Sequence, residues 1–245
     1  MGGFDTLNYE KRNGIGCVTL NRPGALNVYN IKMRDDLFEV LSAIRDDDEV
    51  RVVIVNGAGE KAFCAGADLS EFLSAPPPVS ARKIRFERDV WGLLLSIPQP
   101  LIAALHGFVL GSGIEIALCC DIRIAAEDSC FGLPEVGLGI IPAAGGTQTL
   151  PRTIGTGKAL ELLMTSRWID AREADRIRLV NRVVPRERLF ESALEMAQKI
   201  ASYNHFAIRY AKQAVMRGLD LPLAQGLDLE KIFALQLKNL VAGQI

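Results

Sequence analysis

Three short apolar runs, Cys17-Val18-Thr19-Leu20, Arg51-Val52-Val53-Ile54-Val55 and Leu101-Ile102-Ala103-Ala104-Leu105, are bounded by Gly, Pro or Asn. Runs of this length with such punctuation read as buried strands. Between the first two, residues 30–45 place Ile31, Leu37, Val40, Leu41 and Ile44 on one helical stripe, and an Asp46-Asp47-Asp48 turn follows. Strand, helix, strand is the pattern of a crossover unit, so the core is expected to be α/β. The order repeats through a Gly57-Ala58-Gly59 turn, a polar loop holding Pro76-Pro77-Pro78, a helix over 79–96 and the strand at 101–105. Three consecutive prolines forbid helix and leave an extended connector or pocket rim. From about Gly155 onward strands are expected to stop, and amphipathic helices take over at 186–201, 205–217 and 223–240. This divides the chain into an α/β core of residues 1–190 and a helical region of residues 191–245 that packs on the core or on a neighbouring subunit.

A length of 245 residues suits one large α/β domain. The net charge of −1 removes the broad positive field of a dedicated nucleic-acid or anionic-membrane binder. Five cysteines, with no Cys-x-x-Cys pair and only His106 and His205 beside them, suggest neither a zinc site nor a disulfide framework. An odd count fits a reducing compartment. Residues 1–12 lack an apolar signal core, and no apolar run reaches the ~18 residues of a membrane span. A cytoplasmic protein is expected, or a mitochondrial-matrix one whose presequence has been removed.

The informative chemistry starts at Pro100. A strand leads through His106-Gly107 to Leu110-Gly111-Ser112-Gly113 and an apolar helix, Ile114 to Cys120. A glycine-rich strand-to-helix turn leaves amides without partners and lets a ligand approach the backbone. Glu115 has two readings. Ser112-Gly113-Ile114-Glu115 is a literal capping box, in which Glu115 would occupy the Ser112 amide; alternatively the amide serves a ligand and the carboxylate does chemistry. A similar small-residue turn lies at Phe63-Cys64-Ala65-Gly66-Ala67-Asp68-Leu69, where Asp68 reads as a helix N-cap. A second carboxylate, Glu135, follows Phe131-Gly132-Leu133-Pro134. The glycine turns do not follow the dinucleotide fingerprint, so neither nicotinamide nor flavin is implied.

In order and spacing, Phe63 to Leu69, Gly107 to Asp121, Phe131 to Gly139 and Ile141 to Gln148 resemble the crotonase superfamily, in particular the enoyl-CoA hydratases. The resemblance runs from about Leu20 to Leu240, beginning with Asn21-Arg22-Pro23-Gly24-Ala25-Leu26-Asn27. It implies a crotonase-like spiral of repeated ββα units with a helical C-terminal region, homotrimers or dimers of trimers, and an acyl-CoA thioester as substrate. Carried over position by position, the amides of Ala67 and Ser112 form an oxyanion hole. Ala67, Asp68, Leu69, Ser70 and Ser112 line the CoA and acyl path, and Glu115 and Glu135 are the two catalytic glutamates. The implied reaction is addition of water across the α,β double bond, with no metal and no cofactor beyond the CoA of the substrate. Glu115 is assigned to water activation and Glu135 to proton delivery at Cα. A Δ3,Δ2-enoyl-CoA isomerase and a non-catalytic or RNA-binding relative are the alternatives.

Three departures accompany the resemblance. Ser112 stands where glycine is common. Ser70 stands where some hydratases carry a lysine, which leaves Arg22 or the Arg82-Lys83-Arg85-Arg88 cluster as candidates for the CoA phosphates. The chain ends short of a final basic helix that many relatives carry. His106 and His205 are read as structural.

Overall fold

The computed structural model describes residues 4–72 and 88–242. Leu7–Arg12 (β1) and Ile15–Leu20 (β2) form an antiparallel hairpin. Its turn residues Asn13 and Gly14 both have positive φ, 53° and 76°, the combination that a two-residue hairpin demands. Asn30 then caps Ile31–Arg45 (α1) by accepting from Met33 N at 2.9 Å. The chain next alternates between two sheets. Val52–Gly57 (β3), Leu101–Leu105 (β5), Ile122–Ala126 (β7) and Arg182–Val184 (β10) extend the first in the order β1-β2-β3-β5-β7-β10, parallel from β2 onward. Ala62–Cys64 (β4), Phe108–Leu110 (β6), Cys130–Gly132 (β8) and Ile169–Asp170 (β9) make the second, in the order β4-β6-β8-β9. The pairs β3-β4, β5-β6 and β7-β8 each put one strand into each sheet before a helical segment, which is the expected repeat of ββα units.

The large sheet is buried on both faces, as parallel sheets must be. Period-two alternation sends Val53, Val55, Leu101 and Ala103 to one apolar layer and Val52, Ile54, Ile102 and Ala104 to the other. The first layer is closed by α1, Val90–Ser96 (α3) and Ser112–Cys119 (α4); Leu69–Phe72 (α2) is a single turn. Beyond the small sheet come Gly146–Ile154 (α5), Thr156–Thr165 (α6) and Ala171–Arg176 (α7). The second layer is closed by Leu189–Ala201 (α8), through Leu189, Ala193 and Ala197. His205–Gly218 (α9) and Leu223–Ala242 (α10) form a helical pair, with Tyr210 and Phe233 stacked at 5.3 Å. Polar contacts tie α9 to the core: Lys212 Nζ to Asp121 at 2.8 Å and to the Gln99 carbonyl at 2.9 Å, and Arg209 to Asp48 at 3.0 Å.

Two expectations need correction. Strands do not stop at Gly155, because β9 and β10 complete the two sheets; at two and three residues they are too short to show an alternation. The boundary drawn between residues 190 and 191 falls inside α8, which belongs to the core packing. Of the helix expected over 79–96, Val90–Ser96 is helical, with Asp89 as its cap; the rest, with Pro76-Pro77-Pro78 and Phe86, lies outside the described residues. Among the described residues, no helix is long and apolar enough to cross a membrane.

Candidate active site

Three strands of the small sheet, β4, β6 and β8, run parallel and end on the same side. The residues that follow them converge there, the position where α/β sheets place their sites. After β4 the chain turns at Gly66 (φ 113°) and presents Ala67; after β6 it turns at Gly111 (φ 49°) and presents Ser112. These turns touch: a Cβ placed on Gly111 would lie 3.4 Å from Gly66 Cα and 2.9 Å from Glu135 Oε1. A Cβ on Gly113 would collide with the Cys64 carbonyl. Glycine at 66, 111 and 113 is therefore set by backbone conformation and by the close approach of α4 to β4.

Ala67 is held from its flanks. Tyr29 N donates to the Gly66 carbonyl and Asp68 N to the Tyr29 carbonyl, both at 2.8 Å. Among the described residues, neither the Ala67 amide nor the Ser112 amide donates to any acceptor. Two idle N–H groups on touching turns form an electropositive notch beside the first turn of α4.

The capping-box reading of Glu115 is overturned. Gly111 occupies the N-cap position and Ser112 is already the first helical residue. The Glu115 carboxylate instead accepts from Ala144 N and Gly146 N, both at 2.9 Å. Those amides belong to the start of α5, where partnerless donors attract negative charge. Glu115 is 3% exposed. Burial pushes its carboxyl above the usual range, and the two amides pull it part of the way back.

Glu135 follows β8 on the short 3-10 turn Pro134–Leu138. Its Oε2 is sealed from solvent and has no hydrogen-bond partner among the described residues. Burial pushes its carboxyl up to about 7; its own backbone amide opposes this, and the charge of Glu115 adds to the rise. Ile114 and Leu133, each within two residues of one of the glutamates, line with Leu150 a small apolar cavity whose lining includes neither glutamate. The result is one buried carboxyl gripped by amides beside a second that burial pushes up to about 7.

Asp68 immediately precedes α2: Ser70 Oγ donates to it at 2.7 Å and Arg22 pairs with it at 3.3 Å, contacts that hold its carboxyl below the usual range. Leu69 and Ser70 are exposed beyond it. Of the cations considered for the CoA phosphates, Arg88 is engaged by Asp35 and Glu39 at 3.4 and 3.3 Å, and Arg82, Lys83 and Arg85 lie outside the described residues. His106 is buried at the start of β6, the end away from the notch, and burial holds its imidazole down at about 4. His205 opens α9, far along the chain from either glycine turn. An open polar cleft of about 540 Å³, lined by Asn13, Gly14, Asp48, Glu49, Arg51 and Ala201, contains neither glutamate. Among the described residues, no cluster of His, Cys, Asp or Glu could hold a metal ion. Ala144 and Gly146 are partners that sequence reasoning missed, although a glycine-rich stretch ahead of a helix was a legible signal for free amides.

A family model described as enoyl-CoA hydratase/isomerase matches residues 10–239. The short-chain-enoyl-CoA hydratase of Clostridium acetobutylicum is 45% identical over 222 residues, 90% of this chain and 85% of that protein. The crotonyl-CoA hydratase of Syntrophomonas wolfei is 39% identical, over 93% of this chain and 88% of its own length. The crystal structure of an enoyl-CoA hydratase from Bacillus anthracis superposes with a TM-score of 0.90 at 40% identity, covering 98% of this chain and 96% of that one.

Proposed function

The chain belongs to the enoyl-CoA hydratase/isomerase family, and on that premise we propose that it adds water across the α,β double bond of an enoyl-CoA thioester, with Ala67, Ser112, Glu115 and Glu135 as the working groups. The observation that carries this reading is the convergence of two unused amides with two carboxyls of unequal character, Glu115 buried and Glu135 half-buried with one sealed oxygen.

As water attacks Cβ, the π electrons move toward Cα and the thioester oxygen gains charge. The Ala67 and Ser112 amides meet that oxygen, each worth about 3 kcal/mol in a preorganised oxyanion hole. Glu115, whose carboxyl accepts from two main-chain donors, takes the proton that water loses. Glu135, whose unpartnered oxygen can hold a proton near neutrality, delivers one to Cα. One proton enters the carboxyl pair and one leaves it, so the pair ends with the protons exchanged and resets by passing one back.

The reading extends to the assembly. Val215, Leu219, Leu223, Ile232 and Leu235 on and between α9 and α10 are exposed apolar side chains, more than a lone chain ordinarily leaves in one region. They support association with further copies of the chain, which we propose is a homotrimer or a dimer of trimers.

The test is direct. With a panel of linear, branched and cyclic enoyl-CoA thioesters, loss of the conjugated thioester absorbance should be seen with at least one short linear member. It should fall by roughly a thousandfold in Glu135→Gln, within the range of general acid–base catalysis. Inactivity on the whole panel, or a Glu135→Gln variant close to the parent, would overturn the assignment.

A further inference from the structure

The mechanism above uses Ser112 only through its amide. The Ser112 side chain stands on the same face of α4 as Glu115, three residues earlier, and helical side chains lean toward the N-terminus, here toward the notch between the glycine turns. Ser112 is 7% exposed, and its hydroxyl makes no hydrogen bond to any described residue. Yet it is not among the sealed, unpartnered polar atoms, in contrast to Glu135 Oε2. Every residue of α4 is buried, so the opening that this hydroxyl reaches lies at the start of the helix, where Gly111 faces Gly66 and Glu135.

We propose that the Ser112 hydroxyl is a third donor to the thioester oxygen, beside the amide of the same residue. The inference rests on the hydratase reading and deepens it. The nitrogen and Oγ of one serine are separated by a single staggered torsion, so both can point at one acceptor. An O–H donor to an oxygen that becomes anionic forms a charge-assisted bond, stronger in the enolate-like state than in the bound substrate. A buried hydroxyl without a partner among the described residues is matched to an acceptor that arrives with the substrate.

Ser112→Ala and Ser112→Gly both keep the amide and remove the hydroxyl. Hydration kcat is expected to fall roughly ten- to hundredfold in both, with KM changing far less, as for loss of a hydrogen bond to a charged group. A second readout separates donation from packing: the carbonyl stretch of bound, isotope-labelled butyryl-CoA, which cannot be hydrated. Wild type should shift it to lower frequency than free thioester, and both variants should move it part of the way back. Rates within twofold of wild type together with an unchanged shift would overturn the proposal. A loss confined to Ser112→Gly would overturn it too, since the side chain would then act as filler. If wild type itself leaves the stretch unshifted, the oxyanion hole fails, and with it the reading on which the inference stands.

Discussion

The two sheets are made from the same ββα repeats and are put to opposite uses. In the large sheet, β3, β5 and β7 alternate Val, Ile, Leu and Ala between two apolar layers, and none of these apolar side chains can do acid–base chemistry. In the small sheet, the three-residue strands β4, β6 and β8 lead into a glycine of positive φ, an idle amide or a carboxyl with a sealed oxygen. Each of these departures from good packing costs free energy. They persist because the large sheet fixes the strands that lead into them. Rigidity and reactivity are thus separated within one repeat, a single loop apart.

The sharpest way to break that separation is to exchange the two kinds of residue for neutral ones. Glu135→Gln should lower hydration kcat by about 10³ while leaving the thermal midpoint unchanged or raised, because a neutral amide replaces a carboxyl that burial disfavours. Ile54→Ala, in the middle of β3 and fully buried, should cost about 2–5 kcal/mol of stability by denaturant titration. Its folded fraction should keep kcat within about twofold, since ΔΔG at distant, independent sites is local. A Glu135→Gln protein that unfolds early, or an Ile54→Ala protein that is stable and slow, would show that the two sheets are not divided in this way.

The same division decides what could be read from the residues. The strands at 15–20, 52–57 and 101–105 and the helix at 31–45 were legible because burial on a regular element leaves a periodic trace. The short strands β6, β9 and β10 left none, and β1 left only the beginning of one, because Leu7 and Tyr9 are followed by Lys11 where a third apolar residue would stand. At the site, glycine turns marked the exposed backbone, but the backbone alone could not decide between a capping box and a ligand site at Glu115. That depended on Ala144 and Gly146, some thirty residues away in sequence. The resemblance, not the periodicity, singled out Ala67 and Ser112.

A smaller effect separates glycines that shape the site from glycines that do not. Gly111→Ala places a side chain at φ 49°, a conformation costing about 1–2 kcal/mol, and its Cβ would press on Glu135 Oε1 at 2.9 Å. Stability should drop by that amount, and kcat by roughly tenfold, because displacement of a reacting group by a fraction of an ångström is enough. Gly157→Ala in α6 meets nothing within 4 Å and should stabilise by about 0.5–1 kcal/mol with activity unchanged. Equal outcomes for the two variants would mean that the turn at Gly111 tolerates a side chain and is not under conformational demand.

The mildest test leaves the chain intact and changes only pH. With its carboxyl pushed up to about 7, Glu135 should lose its proton as pH rises through that value. Hydration, which needs the protonated form, should be halved near pH 7 and fall about tenfold per unit beyond it. Dehydration of the hydroxyacyl-CoA starts from the same singly protonated pair, with the proton on Glu115, and the equilibrium constant does not change with pH, so its kcat/KM should fall in parallel through the same window. Stability has a definite sign as well. A raised pKa means that the folded chain binds a proton the unfolded chain has already released between the ordinary glutamate value of 4.5 and about 7. That contribution is fully present below the lower value and lost as pH passes the upper one. Relative to Glu135→Gln, wild type should therefore weaken across this interval and run parallel above it, with Glu115 titrating in both proteins. A hydration kcat/KM that stays flat across this interval would place the proton donor somewhere other than Glu135, and the small sheet would hold one working carboxylate in place of two.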